Sequence, residues 1–165
     1  MVLSLKRHQK ISLRHYPEFC EAWLHDQICE DTTALGLGEL DVVDRERVQA
    51  NGGRLDMLLT DTEANTRYEV EIMLGQTDPN HIIRCIEYWD IERRRYPAYD
   101  HIAVLIAEEI TSRFLNVMAL LSGSIPLVAI QLNALRIDEH LILDFIKVLD
   151  QRDLSSTFAL FKGRN

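Results

Sequence analysis

The sequence predicts an α/β domain, one mixed β-sheet with α-helices on its flanks. Three observations lead there. A tight Asn51-Gly52-Gly53 turn signal joins two short strand-like segments, so the sheet begins with antiparallel pairing. Two apolar runs, 102–107 and 125–130, have the near-continuous character of strands covered on both faces, and helical patterns alternate with them. The 165 residues are 47% hydrophobic and 27% charged, with seven Gly and four Pro, which suits one globular core.

The elements follow in order. Residues 18–30 predict a helix opened by Pro17, with Phe19, Trp23, Leu24 and Ile28 on one broad face and Glu18, Glu21, His25 and Cys29 on the other. Residues 40–48 predict a strand that is polar on one side, 54–60 its hairpin partner, and 61–66 a polar turn. Residues 68–74 alternate strictly, with Tyr68, Val70, Ile72 and Leu74 on one face and Glu69, Glu71 and Met73 on the other. Asp78-Pro79 starts a helix running to about residue 95, in which Ile82, Ile86 and Trp89 face the core while Arg84, Glu87, Tyr88 and Arg95 share another face. A buried strand at 101–107, a helix at 111–121 capped by Thr111 or Ser112, a buried strand at 125–132 and a last strand at 141–148 complete the sheet. The chain divides into a basic arm (1–17), one domain (18–150) and a tail (151–165).

Composition excludes disordered, collagen-like and disulfide-built chains. No apolar run approaches the ~20 residues of a membrane span. The start places Lys6 and Arg7 after a very short apolar stretch, unlike a signal peptide, so a cytoplasmic protein with no membrane partner is expected. A net charge of −8 argues against a general nucleic-acid coat. Residues 1–17 nevertheless carry Lys6, Arg7, Lys10 and Arg14 with no acid, which reads either as a phosphate-contacting tail or as a solvated terminus. The three widely spaced cysteines form no Cys-x-x-Cys, so neither a zinc ribbon nor a redox dithiol is supported. There is no Gly-rich phosphate loop and no Gly-x-Ser-x-Gly, which removes nucleotide hydrolysis and acyl transfer. Arg93-Arg94-Arg95 suits a helix C-terminus, and Glu108-Glu109 reads as helix-start electrostatics.

The informative oddity is the third strand. Strands avoid Glu, yet Glu69 and Glu71 share a face about 7 Å apart, where like charges repel and call for a cation. The hairpin returns Asp56 beside Glu71. Carboxylate oxygens from adjacent strands are the ligands Mg²⁺ takes. The competing reading is a solvated face neutralised by Arg54 and Arg67.

Gly53-Arg54-Leu55-Asp56, followed by Tyr68-Glu69-Val70-Glu71-Ile72-Met73-Leu74-Gly75, resembles the PD-(D/E)XK nuclease core, in which an Asp precedes a strand hairpin ending in acid-x-Lys. The resemblance covers about residues 18–135 and is of the RecB- and NucS-like kind. It implies a restriction-endonuclease-like mixed β-sheet flanked by α-helices, hydrolysis of DNA phosphodiester bonds with Mg²⁺ or Mn²⁺, DNA as partner, and a homodimer as one assembly. It implies Asp56 and Glu71 as catalytic, metal-holding acids, with Glu21 on the first helix or Glu46 on the first strand as a further metal carboxylate. The RecB-like Gln-x-x-x-Tyr motif falls on Arg84 and Tyr88, of which only Tyr88 matches. Arg84 then holds a phosphate, Tyr88 stacks a base, and Arg54 is a further nucleic-acid contact.

The departure is Met73 in the lysine position, since a thioether neither orients nor deprotonates water. Two registers stay open. In one, Asp56 and Glu71 bind the metal, which alone activates water. In the other, Glu69 and Glu71 form a Glu-x-Glu variant. A catalytically impaired nuclease-fold domain, acting as a DNA-binding or protein-interaction module, is the alternative function.

Overall fold

The computed structural model describes residues 1–152; the tail expected at 151–165 lies almost wholly outside the described residues. The chain runs β1 (Gln9–Ile11), α1 (Glu21–Glu30), β2 (Asp41–Val48), β3 (Arg54–Asp61), β4 (Thr66–Gln76), α2 (Pro79–Arg95), β5 (Asp100–Glu109), α3 (Ser112–Leu121), β6 (Leu127–Ile137) and β7 (His140–Gln151).

The hairpin forms where the turn signal stands: Gln49 N–H donates to the Gly53 carbonyl at 2.8 Å and Gly52 N–H to the Gln49 carbonyl at 3.0 Å. From it β2, β3 and β4 pair antiparallel. The α2 and α3 crossovers then make β4, β5 and β6 parallel, and β7 returns antiparallel along β6. This is the expected mixed sheet. One face of β3–β6 (Met57, Val70, Val104, Ile130 and their neighbours) packs on Leu24 and Ile28 of α1. The other face (Ala103, Leu105, Ala129) packs on Ile82 and Cys85 of α2 and Met118 of α3.

Two expectations change. The first helix is shorter than 18–30, because Cys20 is extended (φ −69°, ψ 172°). Pro17 opens a separate 3-10 turn, Pro17–Phe19, and α1 begins at Glu21. The basic segment 1–17 is also tied into the sheet. Gln9–Ile11 pair with Ala134–Arg136 of β6 as β1, and Leu13 is fully buried in the α1-side core. Among the described residues no helix is long and apolar enough to cross a membrane.

Candidate active site

The β3–β4 hairpin pairs from Asp61↔Thr66 to Met57↔Val70 and then forks. Beyond that point β3 stays with β2 (Arg47↔Leu55) and β4 stays with β5 (Glu71↔Leu105, Met73↔Ala107). Asp56 and Glu71 sit at the crotch, and their side chains replace the missing ladder. Ile72 N–H donates to Asp56 Oδ2 at 2.7 Å, and Asp56 N–H donates to Glu71 Oε1 at 3.3 Å. Each acid thus grips the other's strand.

The fork opens onto a cleft of about 320 Å³ between the two helices, lined by Glu21 and His25 of α1, Glu46 of β2, Arg54 and Asp56 of β3, and Arg84 and Tyr88 of α2. Six of the residues singled out by the sequence therefore converge on one cleft. Glu71 is not part of the lining: it is 0% exposed behind Arg84, whose Nε and Nη2 donate to its Oε2 at 3.1 and 3.0 Å. Glu46 stands between the pairs Arg45↔Met57 and Arg47↔Leu55, across from Asp56, with φ at 47°. That left-handed backbone is uncommon for a glutamate and marks a locally strained position.

Burial pushes the Asp56 carboxyl above its ordinary value, with the nearby Glu21 charge in the same direction, against the Ile72 hydrogen bond and the charges of His25 and Arg84. Burial, and then the charge of Asp56, raise Glu71 as well, while Arg84 opposes. Two neighbouring carboxyls both pushed upwards, by burial and then by acid charge (Glu21 on Asp56, Asp56 on Glu71), are eased by a cation.

Spacing puts His25 on the polar face of the first helix, yet it is 3% exposed and neither ring nitrogen has a hydrogen-bond partner. A buried imidazole with both nitrogens free, lining the same cleft as Asp56, fits a nitrogen ligand for a divalent ion. The donor set of Asp56, Glu71 and His25, two carboxylates and an imidazole, is of the kind that holds a divalent cation. As placed, with Arg84 on Glu71, no group of three or more His, Cys, Asp or Glu among the described residues is arranged to hold a metal.

Three expected residues take other places. Tyr88 is 4% exposed with its ring packed on Leu55 and Leu58, so it has no free face to stack a base; its hydroxyl fills the space a side chain at Gly53 would need. Glu69 is buried away from the cleft lining, its Oε1 2.7 Å from His101 Nδ1. Met73 lines the adjoining hollow, which shares Glu21 and Glu46 with the cleft. The neutralising arginines also differ. Arg67 lies between the Tyr96 and Tyr99 rings at 4.3 and 4.1 Å, and Arg54 reaches Glu46 at 3.5 Å, leaving Arg84 to neutralise Glu71.

Glu108, read as helix-start electrostatics, is instead a clamp: it accepts from Leu13 N–H and Gly75 N–H, both at 2.6 Å, and from Ser12 Oγ at 3.0 Å. Nothing local in the sequence announces either role: His25 sits on a helix face that periodicity assigns to water, and the partners of Glu108 are far away in the chain.

No protein-family model matches the sequence, and no curated protein matches it. Two solved structures share its fold. One is an EndoMS–double-stranded-DNA complex, at TM-score 0.53 and 20% identity over 60% of this chain and 40% of that one. The other is a repair endonuclease from Pyrococcus abyssi, at TM-score 0.53 and 18% identity over 70% of this chain and 59% of that one. The chain therefore spans about half the length of these nucleases, and the restriction-endonuclease-like architecture expected from the motif is the one observed.

Proposed function

We propose that this chain is a metal-dependent nuclease that hydrolyses DNA phosphodiester bonds, with Mg²⁺ or Mn²⁺ held by Asp56 and Glu71. The observation that carries the reading is the fork, where the part-buried Asp56 and the buried Glu71 grip each other's strands, and where Asp56 and an unpartnered imidazole line one cleft. The likeness of fold to two endonucleases, one of them bound to double-stranded DNA, supports it.

Asp56 and Glu71 offer oxygens and His25 a nitrogen, while Glu21 and Glu46 ring the mouth and can reach an ion through water. Such an ion supplies Lewis acidity towards a phosphate oxygen and towards water. Arg84 and Arg54 face the anionic backbone of the substrate, and Tyr88 keeps the hairpin and α2 in register. Met73 neither takes nor gives a proton, so the position where the nuclease motif has lysine supplies no base. Glu69, engaged by His101, stays outside the ligand set, which favours the Asp56–Glu71 register. A homodimer would present two such clefts to the two strands of a duplex.

A second reading, a DNA-binding module without catalysis, draws on one observation: Arg84 already neutralises Glu71. Calorimetric titration of Mn²⁺ and Mg²⁺ into the wild type and an Asp56→Asn/Glu71→Gln variant, beside incubation of both with single- and double-stranded DNA, separates the two. Metal binding and cleavage lost together in the variant support the nuclease. DNA binding without metal binding gives the module, and cleavage that survives the double substitution overturns the site.

A further inference from the structure

We infer that Arg14 is a phosphate-binding residue beside this cleft, in the adjoining hollow, the positive charge a DNA strand meets on the side where β4 carries Met73; the inference deepens the nuclease reading and rests on it. The cleft is acidic, with Glu21, Glu46 and Asp56 on its walls, so an incoming phosphodiester is repelled unless cations oppose them. The two arginines that line it each already meet a carboxylate, Arg84 at the buried Glu71 and Arg54, in solvent, at Glu46, so part of their charge is offset before a phosphate arrives.

Arg14 is different. It borders the adjoining hollow of about 630 Å³ with Glu21, Glu46 and Met73, and it forms no ion pair among the described residues. Packing holds it instead. Its side chain lies against Gly75, where a Cβ would stand 3.2 Å from Cδ and 3.3 Å from Nη1, and the positive φ of 81° at Gly75 keeps a side chain unfavourable there.

The segment that carries Arg14 is itself fastened. Glu108 accepts hydrogen bonds from Ser12, Leu13 and Gly75, joining this segment to the end of β4, and the Leu13 side chain is fully buried. The guanidinium is thus positioned without spending its charge on a protein acid. A planar fork of N–H donors in that state matches the geometry of a phosphate.

Arg14→Gln and Arg14→Lys test this by fluorescence anisotropy with labelled single- and double-stranded oligonucleotides over a series of salt concentrations, without metal. In Arg14→Gln the affinity for duplex is expected to fall about fivefold, and the slope of log K against log salt to shrink by about 0.9, one phosphate contact. Arg14→Lys recovers part of both, while Mn²⁺ affinity and thermal midpoint stay at the wild-type values. An unchanged salt slope in Arg14→Gln overturns the inference and, if the wild type cleaves, leaves the nuclease reading standing. A reduced slope in a protein that never cleaves keeps Arg14 as a phosphate contact and overturns the nuclease. A wild type that binds no DNA overturns both.

Discussion

Arg84 covers Glu71, with two N–H groups directed at the single oxygen Oε2, so a carboxylate removed from water is met by a guanidinium that is itself 47% exposed. The pair sets the electrostatics of the cleft, because a cation taken up at Glu71 Oε2 would have to share that oxygen with the guanidinium or displace it.

Removing the cation leaves a buried acid alone. Arg84→Ala should cost about 1–2 kcal/mol in urea denaturation, less than a fully buried pair because Arg84 stands half in water. Adding Glu71→Gln should recover most of that loss. A double variant as unstable as Arg84→Ala alone would show that packing, not charge, makes the pair matter.

Gly53 and Tyr88 are coupled by contact. A Cβ at Gly53 would sit 2.1 Å from Tyr88 Oη and 2.9 Å from its Cζ, so one of them must move. Gly53→Ala should lower stability by about 2 kcal/mol, and Tyr88→Phe in that background should restore part of it. Equal stability of Gly53→Ala and wild type in chemical denaturation would refute the contact.

Glu108 should be costly to remove, since Leu13 N–H and Gly75 N–H lose their acceptor together. Glu108→Ala is expected to destabilise by about 2–3 kcal/mol and to admit protease near residues 12–16 before the rest of the chain. Cleavage there at the wild-type rate would argue against the clamp.

Glu69 and His101 predict a pH dependence. Burial pushes Glu69 up to about 7, against the hydrogen bond and charge of His101. Burial alone would lower His101, but the hydrogen bond and charge of Glu69 outweigh it and raise it. Both groups hold protons more tightly folded than unfolded, so this stability is fully present below the unfolded values and is lost as pH rises through the folded ones. Unfolding free energy attributable to the pair should drop by about 2 kcal/mol between roughly pH 5 and 8. In Glu69→Gln the drop should be shallower, and a wild-type slope in that variant would remove the pair as its source.

The order of elements from β2 to β7 and the meeting of Asp56 with Glu71 were legible because they depend on local chemistry. Asn51-Gly52-Gly53 makes the turn, and strict alternation from Tyr68 to Leu74 sets the faces. What escaped depends on distance or on cover. The Glu108 carboxylate meets Ser12 and Leu13 across 96 and 95 positions, and no periodicity in either segment encodes that meeting. His25 has the spacing of a surface residue, and only the approach of the neighbouring elements closes it off. Tyr88 matched a motif by type, yet Leu55 and Leu58 cover its ring, a packing fact that spacing along α2 does not contain.

The two halves of the proposed substrate grip join the fold on different terms. Asp56 and Glu71 are brought together by a hairpin with a short connection, whereas β1 reaches β6 across 127 positions and only three paired residues, Gln9–Ile11. Closing so long a loop for so short a ladder gains little until the rest of the sheet exists to receive it. The strand leading to Arg14 is therefore expected to dock last in folding and to release first in the native state, with its amides exchanging ahead of those of β4 and β5. In that order the acidic half of the cleft is complete while its basic lip is still being fastened.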